Sequence, residues 1–154
     1  GIAIGLYQDL AKTPSRISNF KNLHSQLYVQ AGNYAKECGL EDVLILNDFN
    51  QLIEATSSNI FLVLNGTLHT PKLESGPVGG VMRAAIINLA IELGIKVYEC
   101  NLEAHELIKA DEVFLTNAVR GIQWVASFRT KRYFNKTVSM LVGELKKRLT
   151  SDAL

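Results

Sequence analysis

With 154 residues, 47% of them apolar and 20% charged, the chain has the size and composition of one soluble globular domain with a sizeable core. Its 16 Lys and Arg against 15 Asp and Glu leave a formal net charge of +1, which excludes the strong field that nucleic acid or an anionic membrane surface requires. No apolar run is long enough to span a bilayer and the first residues do not read as a signal peptide, so the expectation is a cytoplasmic protein with no nucleic-acid or membrane partner.

Residues 1–16 mix Gly, Pro and Ser among apolar residues and read as a short strand plus a connecting loop. Ser18 or Asn19 caps a helix that runs to about Cys38. Its apolar face is Phe20, Leu23, Leu27, Ala31, Tyr34 and Cys38, and Gly39 ends it. Asp42 to Asn47 is a buried strand and Asp48 to Gln51 its turn. Ile60 to Leu64 is a second apolar strand, closed by the hairpin signal Asn65-Gly66, with Thr67 to Thr70 returning. A loop with Pro71, Gly76, Pro77, Gly79 and Gly80 leads to a helix from about Val81 to Leu93. Its inner stripe is Met82, Ile86, Leu89 and Leu93, and Gly94 stops it. Ile95 to Glu99 is a strand, and Asn101 caps a short helix through Lys109. Asp111 to Thr116 and Ile122 to Phe128 are strands, and Thr137 opens a closing helix to about Leu149. Strands alternating with helices predict an α/β fold, with residues 1–154 forming a single domain. The start at Gly1 without methionine reads as a domain trimmed from something longer.

Two segments carry the chemistry. Glu54-Ala55-Thr56-Ser57-Ser58-Asn59-Ile60-Phe61 sets a carboxylate just before an apolar strand. Gly79-Gly80-Val81-Met82-Arg83 opens a helix with glycines, so that backbone N–H groups and the positive end of the helix dipole meet an anion. Lys21 adds an amine beside the apolar Phe20 and Leu23, where desolvation favours the neutral, nucleophilic form. Taken singly, Lys21 is equally a surface lysine, Glu54 a strand-edge charge, and Ser57 and Ser58 turn formers. Taken together, a carboxylate for a pyridine nitrogen, helix amides for a phosphate and a lysine for an aldehyde fit pyridoxal 5′-phosphate.

Other chemistries fit less well. Ser18-Asn19-Phe20-Lys21 matches S-x-x-K, but its companion S-D-N and K-T-G elements are absent. The glycines form neither G-x-G-x-x-G nor a P-loop, which argues against a nucleotide. His24, His69 and His105 are scattered and offer no zinc set. Cys38 and Cys100 match no metal spacing and are expected to be buried free thiols of a reducing cytosol. Asn117-Ala118-Val119-Arg120-Gly121 follows a strand directly, placing further amides where ligands sit in α/β sheets.

Glu54, Asn59, Ile60, Phe61, Leu68, Thr70, Gly80, Val81 and Arg83 stand in the order and at the spacing of a long gapped signature. From Lys21 to at least Val125 the chain resembles the large C-terminal domain of class IV pyridoxal-phosphate enzymes. The resemblance implies a mixed-sheet α/β pseudo-barrel, pyridoxal 5′-phosphate as cofactor, a small amino-acid-like substrate and a homodimer with sites near its interface. It implies that Lys21 holds the cofactor's aldehyde and then moves the proton at substrate Cα, and that Glu54 pairs with the pyridine nitrogen. Val81 and Met82 match the pair whose backbone N–H groups hold the phosphate. Asn117 and Ala118 match the loop against phosphate and substrate, and Ser57 belongs to the loop beside the cofactor. A small N-terminal domain carrying an arginine for the phosphate is implied as well.

The family includes branched-chain and D-amino acid aminotransferases and 4-amino-4-deoxychorismate lyase. Aminotransferases commonly carry Thr where Met82 stands and hydroxyl residues where Ala118 and Val119 stand. Gly80-Val81-Met82-Arg83 with Asn117-Ala118 is similar to the lyase. A lyase releasing 4-aminobenzoate and pyruvate for folate synthesis is therefore expected ahead of an aminotransferase. A non-catalytic homologue acting as a binding module is the remaining alternative.

Overall fold

The computed structural model describes residues 1–20 and 25–151. Its strands are β1 (Ile2–Lys12), β2 (Asp42–Asn47), β3 (Gln51–Ala55), β4 (Asn59–Leu64), β5 (Thr67–Pro71), β6 (Val97–Cys100), β7 (Leu102–Glu103), β8 (Glu112–Asn117), β9 (Gly121–Phe128) and β10 (Lys131–Arg132). The helices are α1 (Ser25–Glu37), α2 (Val81–Glu92), α3 (Glu106–Lys109) and α4 (Lys136–Ser151). All the strands join one mixed sheet in the order β6-β5-β4-β8-β9-β1-β2-β3-β7, with β10 beside β9. The two end strands, β6 and β7, are separated in the chain by Asn101 alone. The ends of the sheet are thereby tied together, and it curls into the nearly closed pseudo-barrel that the resemblance implies.

Alternation along the strands builds three cores. Ile4, Leu44, Leu46, Ile60, Leu62 and Leu115 fill the interior of the curled sheet. Val43, Ile45 and Ile53 face outward onto Leu27, Ala31 and Ala35 of α1. Phe61, Val63 and Phe114 face outward onto α2 and α4, where Phe61 and Phe114 pair across β4 and β8 with rings stacked 5.0 Å apart. Strands covered on both faces need apolar residues at every position, which is why Val43 to Leu46 and Ile60 to Leu64 read as unbroken runs. The hairpin at Asn65-Gly66 forms as expected, both residues taking positive φ. No helix among the described residues is long and apolar enough to cross a membrane.

Several local expectations are corrected. β1 is eleven residues long and runs to Lys12, because its parallel neighbours β2 and β9 supply hydrogen bonds that its composition does not advertise. Ser18 lies in a turn, where its hydroxyl accepts from the Ser15 amide at 2.7 Å, and among the described residues α1 is Ser25–Glu37. Cys38 is exposed and Cys100 half-buried, so neither is the buried thiol expected, and Phe20, 68% exposed, and Cys38 do not belong to a buried helix face. Gln51 to Ala55 is a strand in its own right, which places Glu54 inside β3 rather than ahead of β4. Leu93 is exposed, and Arg83 lies inward instead, donating to Pro71 O at 2.9 Å and pairing with Glu99 at 2.6 Å. Asn101 leads into β7, and α3 starts only at Glu106. α4 opens against the buried Glu112 carboxylate, which accepts from the amides of Thr137 and Val138 at 2.8 and 2.9 Å.

Candidate active site

The β3–β4 turn, the β8–β9 turn, the 76–80 loop and the start of α2 surround a cavity of about 590 Å³. Glu54, Ser57, Val81, Met82, Asn117 and Ala118 all line it, so residues far apart in the sequence converge as expected. Lys21 lies outside the described residues.

At one side stands the carboxylate. Glu54 is 3% exposed, and its Oε1 accepts from Lys12 Nζ at 2.9 Å and from Tyr28 Oη at 2.6 Å. Its Oε2 accepts from the Val78 amide at 2.9 Å. Lys12 is 2% exposed, also donates to Ser18 O at 3.0 Å, and lies 5.6 Å from the centre of the Tyr28 ring. A buried carboxylate with a cation and two neutral donors is held in one place. Burial, then the charge of Glu54 and the hydrogen bond to it, push the Tyr28 hydroxyl well above the usual tyrosine range, so it remains a donor.

Lys12 and Tyr28 were not legible as site residues. Lys12 sits where a loop is expected. Tyr28 left a trace: it precedes Ala31 and Ala35 by three and seven residues, on the inward stripe of α1.

The other side is built to meet an anion. α2 starts at Val81 behind Gly80, which makes no side-chain cap. Its first-turn N–H groups, which no helix can satisfy from within, belong to residues that include Val81 and Met82, both lining the cavity. Gly80 is required for space rather than for backbone freedom, since a Cβ there would lie 2.3 Å from Asn59 Oδ1. Gly79 carries no such requirement, its Cβ meeting only ordinary contacts. Asn59 is itself pinned, donating from Nδ2 to Val78 O at 2.7 Å. Thr116, 1% exposed in the same wall, has a hydroxyl with no hydrogen-bond partner among the described residues.

The Val78 peptide therefore ties the two sides together, its N–H on Glu54 and its C=O on Asn59. Asn117 organises its own loop: Oδ1 accepts from the amides of Val119 and Arg120 at 3.0 and 2.7 Å, and Nδ2 donates to Ser58 Oγ at 3.0 Å. Ser57 and Ala118 are exposed at the rim.

A buried, fixed carboxylate opposite a helix start suits an aromatic nitrogen base carrying a phosphate. A family model described as amino-transferase class IV matches residues 2–128. The chain belongs to the class IV aminotransferase family.

Class IV enzymes depend on pyridoxal 5′-phosphate, and the donor set described here fits that group. Among curated class IV relatives, a mitochondrial branched-chain-amino-acid aminotransferase of Arabidopsis thaliana is 41% identical over 99 residues, covering 63% of this chain and 26% of its own length. The 4-amino-4-deoxychorismate lyase of Pseudomonas aeruginosa superposes with a TM-score of 0.88 at 28% identity, covering 96% of this chain and 55% of the other. The branched-chain amino acid aminotransferase of Escherichia coli superposes with a TM-score of 0.86 at 28% identity, covering 92% and 50%. The chain spans about half the length of these solved relatives, and less of the curated one.

Proposed function

We propose that this chain is the cofactor-binding part of a class IV enzyme that binds pyridoxal 5′-phosphate and acts as a 4-amino-4-deoxychorismate lyase. When bound, the cofactor supplies an electron sink for the bonds at substrate Cα. Glu54 accepts the hydrogen bond of the ring nitrogen and keeps the ring positive, while Lys12, Tyr28 and Val78 fix its carboxylate. The backbone amides of Val81 and Met82 hold the phosphate, with Gly80 allowing close approach. Lys21 holds the aldehyde and moves the proton at Cα. Asn117 and Ala118 shape the opposite wall, and Ser57 borders the cofactor at the rim.

The lyase reading is carried by one observation: Met82 and Ala118, on either side of the cavity, bring no hydroxyl to it. That pairing resembles the lyase and departs from the aminotransferase pattern. The curated relatives support a second reading, since the Arabidopsis protein and a Salmonella typhimurium relative 38% identical over 96 residues are both named branched-chain-amino-acid aminotransferases. A homodimer with a small amino-acid-like substrate belongs to both readings. Product analysis of the full-length enzyme separates them. Supplied with aminodeoxychorismate it is expected to release 4-aminobenzoate and pyruvate in equal amounts. Amino-group exchange between branched-chain amino acids and 2-oxo acids, with no 4-aminobenzoate formed, would replace the lyase by the aminotransferase.

A further inference from the structure

Thr116 is the penultimate residue of β8, and its Cα pairs with that of Asn59 across β4. Residues paired in this way project from the same face of the sheet. The Asn59 side chain on that face reaches Val78 O and lies against Gly80, the residue from which α2 starts. The Thr116 hydroxyl thus belongs to the wall beneath the helix start, where it is buried and unpartnered among the described residues.

Other threonines of this fold do not behave so. Thr56 donates to Asp42 at 2.7 Å, Thr67 to Leu64 O at 2.7 Å and Thr70 to Ile60 O at 2.8 Å. A buried hydroxyl left without a partner is unfavourable in a folded protein. Here it stands beside the first-turn amides of α2, in a wall where Met82 and Ala118 offer no hydrogen-bonding side-chain group.

Resting on the reading of the cavity as a pyridoxal 5′-phosphate site, we infer that the Thr116 hydroxyl is a ligand of the cofactor's phosphate. It donates its proton to a phosphate oxygen alongside the first-turn amides of α2. The hydroxyl's energetic cost in the apo chain then becomes affinity for the charged ester, since hydrogen bonds to charged groups exceed neutral ones in strength.

The test compares wild-type full-length apoenzyme with T116V, T116S and T116A, measuring thermal unfolding without cofactor and affinity for pyridoxal 5′-phosphate and for pyridoxal. T116V, which keeps the shape, is expected to unfold at the wild-type temperature or above it. Its affinity for pyridoxal 5′-phosphate should fall roughly tenfold, while T116S stays near wild type. Affinity for pyridoxal, which lacks the phosphate, should be unchanged in all variants. Equal binding of pyridoxal 5′-phosphate by wild type, T116V and T116A overturns the inference and leaves the cofactor reading standing. An equal loss for both ligands also overturns it, placing the contact away from the phosphate. If T116V fails to fold, T116S and T116A carry the comparison. Wild-type protein that takes neither ligand overturns the cofactor reading itself, and the inference with it.

Discussion

The two sides of the cavity are finished to different degrees. Around Glu54 both carboxylate oxygens already have protein donors, so that side is held in place before anything binds. At the start of α2 Gly80 makes no side-chain cap and the Thr116 hydroxyl is unpaired among the described residues, so that side is completed by what binds. A charge that must keep one protonation state benefits from fixed partners. A phosphate site instead benefits from donors that nothing else has claimed. Stability should therefore depend on the first side and affinity on the second.

The largest effect expected is on stability. Lys12→Met leaves the buried Glu54 carboxylate without its cation, and breaking such a pair costs about 3–5 kcal/mol. Urea unfolding of the full-length protein measures it, and a loss below about 1 kcal/mol would show that the carboxylate side is not held as described. Next comes Gly80→Ala, whose Cβ would displace the Asn59 amide and disturb the wall under the phosphate. Affinity for pyridoxal 5′-phosphate should fall by about tenfold, while Met82→Leu, which leaves the backbone donor in place, stays within about twofold. A reversed ranking of these two variants would mean that side chains rather than amides make the anion site.

The smallest effect concerns Tyr28. Its folded hydroxyl titrates above the unfolded value near 10, so the native state keeps a proton that the unfolded state loses. That contribution to stability is whole below about pH 10 and declines as pH rises further. Tyr28→Phe should soften the fall in unfolding temperature between pH 9 and pH 11, without abolishing it, because burial raises Tyr133 in the same direction. An unchanged decline would detach Tyr28 from Glu54.

Much of this site was legible because its chemistry lies in short local patterns. Glu54, the Gly79-Gly80 helix opening and Asn117-Ala118 could be named from neighbours in the sequence, and the cavity gathers them. The strands of the double-faced sheet were legible wherever burial on both faces made apolar runs, as in β2, β4 and β8. β3 was not, because its polar Gln51 and Glu54 break the run, although tertiary partners bury Glu54. The far half of β1 escaped for the same reason: Asp9 and Lys12 look like loop residues until parallel pairing and the Glu54 carboxylate are in place. Thr116 carries no local signal, since only the absence of a partner among the described residues distinguishes it from other strand threonines.

The central claim is that this cavity takes pyridoxal 5′-phosphate with Lys21 as the residue that holds it. Borohydride reduction of the full-length protein loaded with the cofactor, followed by peptide mapping, addresses it directly. The pyridoxyl label is expected on Lys21 and on no other lysine. Label on Lys12, the buried amine beside Glu54, or on no lysine at all, would contradict the account.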